Sequence, residues 1–433
     1  MREGRSAEAV QAFEAALCID PGLTEALRLR ALSLAFTARK AEADPALARL
    51  CRRFPQEAEN YHCRSEVLFL ARRPEEMARV IEAGLQMEPA DAGLIHDRMS
   101  AAQIRGDYDD AITWALRGIA LEPTSPGAHL DFGLMLAGAF ASARPHYDAR
   151  LAIAVRQLPG RRWLGETTQE ALTIHNEQGF GDVLQVARYF PAVAARAPRA
   201  QFVVQAPLCD LLRRSFPNLK FLPASDPPPA TPLHGWCMDL PALFGGLMSS
   251  VDPAPYLRSD PVLRARWQSR LPCDRFNVGL QWSGNPDMRA NLYRSVELAS
   301  LAPLASIDGI NLVNLHVDPD PQIGIFPMQD FTAELRTFDD TAALVDSLDL
   351  VISICTSVAH LSGALGQETW ILLRRPFDWR WGIEGERTNW YASATLLREC
   401  AIADLMARIR TRMAQGRRPA SMRANGLNSS AKP

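Results

Sequence analysis

The stretch VISICTSVAHLSGALG, Val351–Gly366, decides how the larger part of this chain folds. β-Branched and apolar residues run as far as Cys355, the hydroxyl pair Thr356-Ser357 follows, and small residues at helical spacing come next. That pattern is a buried strand turning directly into a helix. Two hydroxyls and fresh backbone N–H groups at the end of a buried strand suit an anion, because a helix N-terminus carries unpaired donors and partial positive charge. Thr356 and Ser357 read as able to cap the helix and to face a diphosphate. His360 lies one turn beyond Thr356; it reads either as facing the same cleft or as a satisfied core histidine.

Outward from this stretch, strands and helices alternate. LTIHNEQGFGD is a strand entering a glycine loop, VLQVARYFPAVAAR is helical, and AQFVVQAP and LKFLPAS are strands with the helix LCDLLRRSF between them. Ser225–Gly235 reads as a proline-rich loop. A second alternating set begins at FNVGLQWSGNP and continues through INLVNLHV, the Val351 strand and ETWILLRR. Alternation of this kind predicts parallel sheets with helices on both faces, so two Rossmann-like units are expected across a cleft, with a linker near residues 255–275.

Three loops in these units carry candidate chemistry. In EQGFGD, Gly179 and Gly181 let the backbone approach a ligand, and Asp182 falls in the first turn of the next helix, where it also reads as a cap. QWSGNP and NLYRS follow a strand end, where open α/β sheets bind ligands. They offer Trp282, Asn285, Arg294 and Ser295, with Arg294 suited to a phosphate. RRPFDWRWG, Arg374–Gly382, holds Trp379, Arg380 and Trp381, a composition that suits a base or sugar with its phosphates, a lid, or core.

The first third reads differently. Pro21, Pro55, Pro89 and Pro123 follow one another at intervals of 34 residues, each after a helix-like run. A proline there ends one helix and sets the turn to the next. This period of paired helices resembles the tetratricopeptide repeat (TPR), with Gly4, Ala9, Phe13, Ala16 and Pro21 at its small, small, aromatic, small and proline positions. The chain opens on the second helix of a unit, and Met77 and Gly84 stand where the repeat favours alanine. Such arrays bind peptides or partner proteins in a concave groove; shielding of an apolar face and self-association into a homo-oligomer are alternative uses.

Bulk properties bound the rest. The 433 residues suffice for two or three domains, and a net charge of −2 gives no support to a nucleic-acid or anionic-membrane partner. No apolar run reaches the length of a membrane span, and MREGRSAEAVQAF reads as an amphipathic helix rather than a secretion signal. Eight scattered cysteines without a C-x-x-C pair point to free thiols in a reducing cytoplasm. The histidines show no metal-ligand spacing, so no metal and no cofactor are expected.

Together, HNEQGFGDVLQVARYFP, GLQWSGNP with its RS, DFTAELRTFDDTAALVDSLDLVIS, TSVAHLSGALG and DWRWG resemble bacterial proteins that join TPR repeats to a heptosyltransferase-like GT-B glycosyltransferase, the flagellin glycosyltransferases among them. The resemblance implies a TPR α-solenoid over 1–150, an acceptor-side Rossmann-like domain over 151–265, a nucleotide-sugar domain over 266–415 and a disordered tail over 416–433. It implies that Asp182 is the general base and that Thr356, Ser357, His360 and Leu361 form the donor loop. It also implies metal-independent transfer from a nucleotide-sugar to Ser or Thr of a protein such as flagellin. The family's aspartate before that threonine is Cys355 here, which leaves the donor sugar open. A lipid-linked saccharide acceptor and an inactive GT-B scaffold are the alternatives.

Overall fold

The computed structural model describes residues 2–135, 140–153, 158–225, 227–245 and 251–416, so the expected disordered tail lies almost wholly outside the described residues. These divide into a helical unit over residues 2–135 and 145–153 and an α/β unit that holds the remainder.

In the helical unit the proline period sets the architecture. Helices α1 (Arg2–Ile19), α3 (Ala43–Arg53), α5 (Pro74–Met87) and α7 (Tyr108–Leu121) each end two residues before Pro21, Pro55, Pro89 or Pro123. Helices α2 (Thr24–Leu34), α4 (Ala58–Leu70), α6 (Ala92–Arg105) and α8 (Pro126–Met135) begin three residues after those prolines. Each helix packs on the next, as a TPR solenoid requires. Two short helices follow, α9 (Phe140–Tyr147) and α10 (Arg150–Ile153). Where helices cross, the core sets small residues beside larger ones: Ala31 and Ala43 with Leu34 and Leu47 around α2 and α3, and Ala102 and Ala111 with Met99 between α6 and α7. At Gly84 the crossing leaves no space, since a Cβ there would lie 2.7 Å from Leu94 Cδ1 and 2.9 Å from Tyr61 Cβ.

The α/β unit holds two sheets. The first contains β1 (Arg161–Arg162), β2 (Leu172–His175), β3 (Ala200–Val204), β4 (Lys220–Pro223) and β5 (Leu233–Trp236) in the order β1-β5-β2-β3-β4. Its helices are α11 (Phe180–Val186), α12 (Phe190–Arg196) and α13 (Cys209–Ser215). After α14 (Pro261–Gln268), the second sheet contains β6 (Phe276–Gln281), β7 (Ile310–Asn314), β8 (Gln329–Asp330), β9 (Leu350–Ile354), β10 (Thr369–Leu373) and β11 (Ala394–Arg398). Helices α15 (Asn291–Arg294), α16 (Leu298–Leu301), α17 (Phe338–Val345), α18 (Ser357–Leu365) and α19 (Ile402–Ala414) belong to it. Its order is β11-β10-β9-β6-β7-β8, which with β6 counted first is the doubly wound 3-2-1-4-5-6.

Every strand pair in both sheets is parallel. Strands β2, β6, β9 and β10 are buried along their whole length, as strands covered on both faces must be. Two Rossmann-like domains in this arrangement make a GT-B fold. Strand β5 corrects the reading of Ser225–Gly235 as loop alone: LHGW is short and ends in a glycine and an aromatic, so it shows no strand period. It pairs because Gly235 lies against Ile174, where a Cβ would approach Cδ1 to 2.8 Å.

Two tests follow from the helical unit. Valine at Gly84 gains little helix propensity over glycine, whereas forcing atoms into this crossing costs about 1–3 kcal/mol. Gly84→Val is therefore expected to lower the denaturant-derived stability of the unit by about 2 kcal/mol. The second concerns His62, whose Nδ1 lies 2.8 Å from the buried carboxylate of Asp97; Ser65 Oγ also donates to that carboxylate. The bond to Asp97 outweighs partial burial and raises the imidazole to about 9 from an ordinary 6.5. The folded state thus holds a proton that the unfolded chain releases, so this contribution is full below pH 6.5 and is lost as pH rises through 9. Melting the wild type and His62→Gln across that range should show a decline that the variant lacks.

Candidate functional site at the facing sheet edges

Open parallel sheets bind ligands where neighbouring strands send their chains in opposite directions. In the first sheet this point lies between β2 and β5, and the loop leaving β2 is 176–179. In the second it lies between β6 and β9, whose exits are the loop from Trp282 and the pair Cys355-Thr356. The two edges meet, because α11, leaving the first loop, packs on α18, leaving the second. Gly181 permits this contact: a Cβ there would lie 2.9 Å from His360 Cδ2 and 3.2 Å from Ser357 Cα. Its close approach is therefore to protein, where a ligand was expected. The unusual backbone of the loop belongs to Gln178, at φ 60°, while Gly179 is extended at φ −89°.

Asp182 sits in the first turn of α11, and Gly179 N–H donates to its Oδ2 at 2.8 Å. Its other oxygen, Oδ1, accepts from Arg380 Nη2. The carboxylate thus both caps its helix and joins an ion pair across the two sheets. Arg380 corrects its sequence reading as a phosphate contact: it is 8% exposed and faces carboxylates. Nη1 donates to both oxygens of Asp378 at 3.0 Å, and Nε donates to Gln185 Oε1 at 2.9 Å. The guanidinium also lies 4.6 Å over the Trp379 ring, and Trp379 meets Trp390 edge-on. Burial works against the Asp378 charge, but Arg380 outweighs it and holds this carboxyl below its ordinary range.

The second edge is built on α18. Thr356 occupies the N-cap position with extended backbone, yet its side chain makes no cap hydrogen bond, contrary to expectation. Its Oγ1 lies 3.1 Å from Ser353 Oγ instead. His360 resolves to the core alternative: it is buried, its Nδ1 is 2.9 Å from Tyr391 Oη, and its ring stacks on Trp381 at 5.2 Å. Burial, reinforced by the charge of Arg380, pulls its pKa to about 3, so the imidazole is neutral at physiological pH. Burial likewise pushes the Cys355 thiol up to about 12, which leaves it unreactive.

The loop after β6 is a knot around Asn291. Its Oδ1 accepts from Gly284 N–H at 2.9 Å, Arg294 Nε at 3.2 Å and Ser295 Oγ at 2.9 Å. Ser295 also reaches Ser283 Oγ at 3.1 Å. Arg294 lies close enough to the end of β9 for its charge to lower the titrations of Cys355 and His360. Trp282 is corrected: 1% exposed, it donates its indole N–H to Asp320 Oδ2 at 2.7 Å and belongs to the core. Asn285 stands exposed and accepts from Asp287 N–H at 2.9 Å.

Sequence reasoning overlooked Asp378, Gln185, Tyr391 and Arg188. Asp378 stood inside the quoted DWRWG, so only its role was missed. Arg188 donates to the backbone carbonyls of Asp252 and Trp390, both at 2.8 Å, and lies over the rings of Tyr256, Trp390 and Tyr391. No local pattern distinguished it from a surface arginine. Among the described residues, no group of three or more His, Cys, Asp or Glu could hold a metal ion, and no helix is long and apolar enough to cross a membrane.

No protein-family model matches the chain. Protein FlbA of Caulobacter vibrioides is 24% identical over 362 residues, which cover 72% of this chain and 59% of FlbA, so the chain spans about three-fifths of that relative's length. Among solved structures, E. coli ADP-heptose LPS heptosyltransferase II is similar over 57% of this chain and 99% of its own, with 11% identity and a TM-score of 0.39. A thermophilic TPR protein of Thermus thermophilus is similar over 34% of this chain and 83% of its own, with 23% identity and a TM-score of 0.31.

His360 provides a test with the opposite sign to His62. Unfolded, its imidazole takes a proton near pH 6.5; folded, only near pH 3. Its stabilising contribution is complete above the first value and is lost as pH falls toward the second. Acid denaturation of His360→Gln should begin at lower pH than that of the wild type; an earlier onset would contradict a buried neutral imidazole.

Proposed function

We propose that the α/β unit is a glycosyltransferase that moves a sugar from a nucleotide-sugar to a serine or threonine hydroxyl of a protein acceptor. The observation that carries this reading is the meeting of the Asp182 loop with the N-terminus of α18 at the facing switch points of the two sheets. One edge offers a carboxylate for proton removal and the other offers backbone donors and a cation for a diphosphate.

In the reaction, the acceptor oxygen attacks the anomeric carbon and a new C–O bond forms. The bond from that carbon to the phosphate oxygen breaks, and the nucleoside diphosphate leaves with the electron pair. Asp182 takes the hydroxyl proton, a step that general-base groups commonly accelerate by about 10²–10⁴-fold. The N-terminus of α18, where the Thr356 side chain makes no cap bond, and the guanidinium of Arg294 stabilise the departing charge. The donor needs no separate organic cofactor, since the sugar arrives already activated. The TPR unit is read as the part that recruits the acceptor, with flagellin the first candidate because of the family resemblance.

Cys355 favours one alternative, a sugar-nucleotide-binding scaffold without turnover, since a buried thiol replaces the carboxylate expected at the donor loop. Thermal unfolding with UDP, GDP, ADP and CMP separates these readings. A ligand of the native state stabilises by about 2.7 kcal/mol at a hundredfold excess over Kd, so one nucleotide should raise Tm selectively. Asp182→Asn should keep that rise while sugar transfer to a flagellin acceptor falls by about 10²–10⁴-fold. Selective binding without any transfer by the wild type would favour the scaffold, and no nucleotide response would remove the donor site.

A further inference from the structure

The ion pair at Asp182 has no place in the mechanism above, and its geometry is specific. Arg380 belongs to the loop between β10 and β11, on the second sheet, while Asp182 and Gln185 belong to α11 on the first. Four bonds spread the guanidinium over protein oxygens: two to Asp378 in its own loop, one to Gln185 and one to Asp182. Its carbonyl is held as well, accepting from Trp390 Nε1 at 2.7 Å. Asp378 is the N-cap of the short turn that carries Arg380 and accepts from the Arg380 backbone N–H at 3.0 Å, so the arginine and its anchor move as one piece.

We propose, building on the transferase reading, that Arg380 is the positioning residue of the base. Anchored to Asp378 on the donor-side sheet, it grips one oxygen of Asp182 on the acceptor-side sheet and aims the carboxylate. Asp182 is then fixed at both oxygens, by Gly179 N–H at Oδ2 and by Arg380 at Oδ1. A carboxylate has about four lone-pair sites, so acceptor capacity remains for an incoming hydroxyl. The side chain of Asp182 keeps 18% of its surface exposed, whereas that of Arg380 keeps 9%, so solvent and substrate reach the carboxylate more readily than the cation. The bond spans two sheets, and the base therefore holds its aim only while α11 and α18 are in contact. This assigns Arg380 to the base and leaves the donor phosphates to the α18 N-terminus and Arg294.

Arg380→Gln tests this, since it removes the grip on Oδ1 while Gly179 N–H still holds Oδ2 and leaves the base itself in place. In that variant kcat should fall about 10–100-fold while donor KM changes by less than about twofold, the pattern of a lost transition-state interaction. Arg380→Lys should restore only part of kcat, because an ammonium lacks the planar fork.

An unchanged kcat in Arg380→Gln overturns the proposal, and so does a donor KM that rises while kcat holds, since that would place Arg380 on the phosphates. A wild type without transfer activity defeats the transferase reading, and the pairing is then decided by denaturation of Asp182→Asn, Arg380→Gln and the double variant. The double variant should be no less stable than the worse single variant; additive losses would overturn the pairing.

Discussion

At Gly181 the backbone of α11 lies against α18 so closely that a single added carbon would strike both His360 and the main chain of Ser357. Much of the interface between the two Rossmann-like domains is organised around this approach. It brings the loop that leaves the first sheet to the helix that leaves the second, and it sets the distance across which Asp182 and Arg380 can pair. The contact is reinforced on either side: Arg188 reaches the Trp390 carbonyl across the same boundary, and Arg214 joins Asp260 and Asp339. Phe180, at the start of α11, packs at 4.9 Å on Phe338 of α17.

The electrostatics of this wedge follow from burial. Two carboxylates share one guanidinium, and the desolvation that would otherwise neutralise Asp378 is offset by that cation. The neighbouring imidazole of His360 takes the other route and stays uncharged, stacked on Trp381 and hydrogen-bonded to Tyr391. Cys355 adds an apolar, protonated thiol where a charge would have had to find a partner of its own. The result separates the cations into roles. Arg380 is committed to protein oxygens, whereas Arg294 rests on Asn291 at the lip of the loop after β6, and its field extends to the end of β9.

The helical unit was the most legible part of the sequence, because its signal is periodic. A proline every 34 residues marks the end of every second helix, and the small residues at the crossings are visible without any partner in view. The doubly wound sheets were legible where strands are long and β-branched, as at β6, β7 and β9. They were not legible at β1, β5, β8 and β11, which are two to five residues long or stand beyond long loops and take their extended form from pairing.

The candidate site divides along the same line. Sequence alone located its loops, since a strand running into a glycine or hydroxyl turn and then a helix is a local pattern governed by backbone geometry. It did not determine what each side chain faces. Whether Arg380 meets a phosphate or a carboxylate, whether His360 opens to a cleft or closes a core, and whether Trp282 touches a ligand or Asp320 depend on neighbours far away in the chain. Asp182 and Arg380 are separated by 198 positions, and no spacing rule connects them. Their partnership exists because two sheets bring their carboxyl edges together at a glycine, and only the tertiary structure decides that.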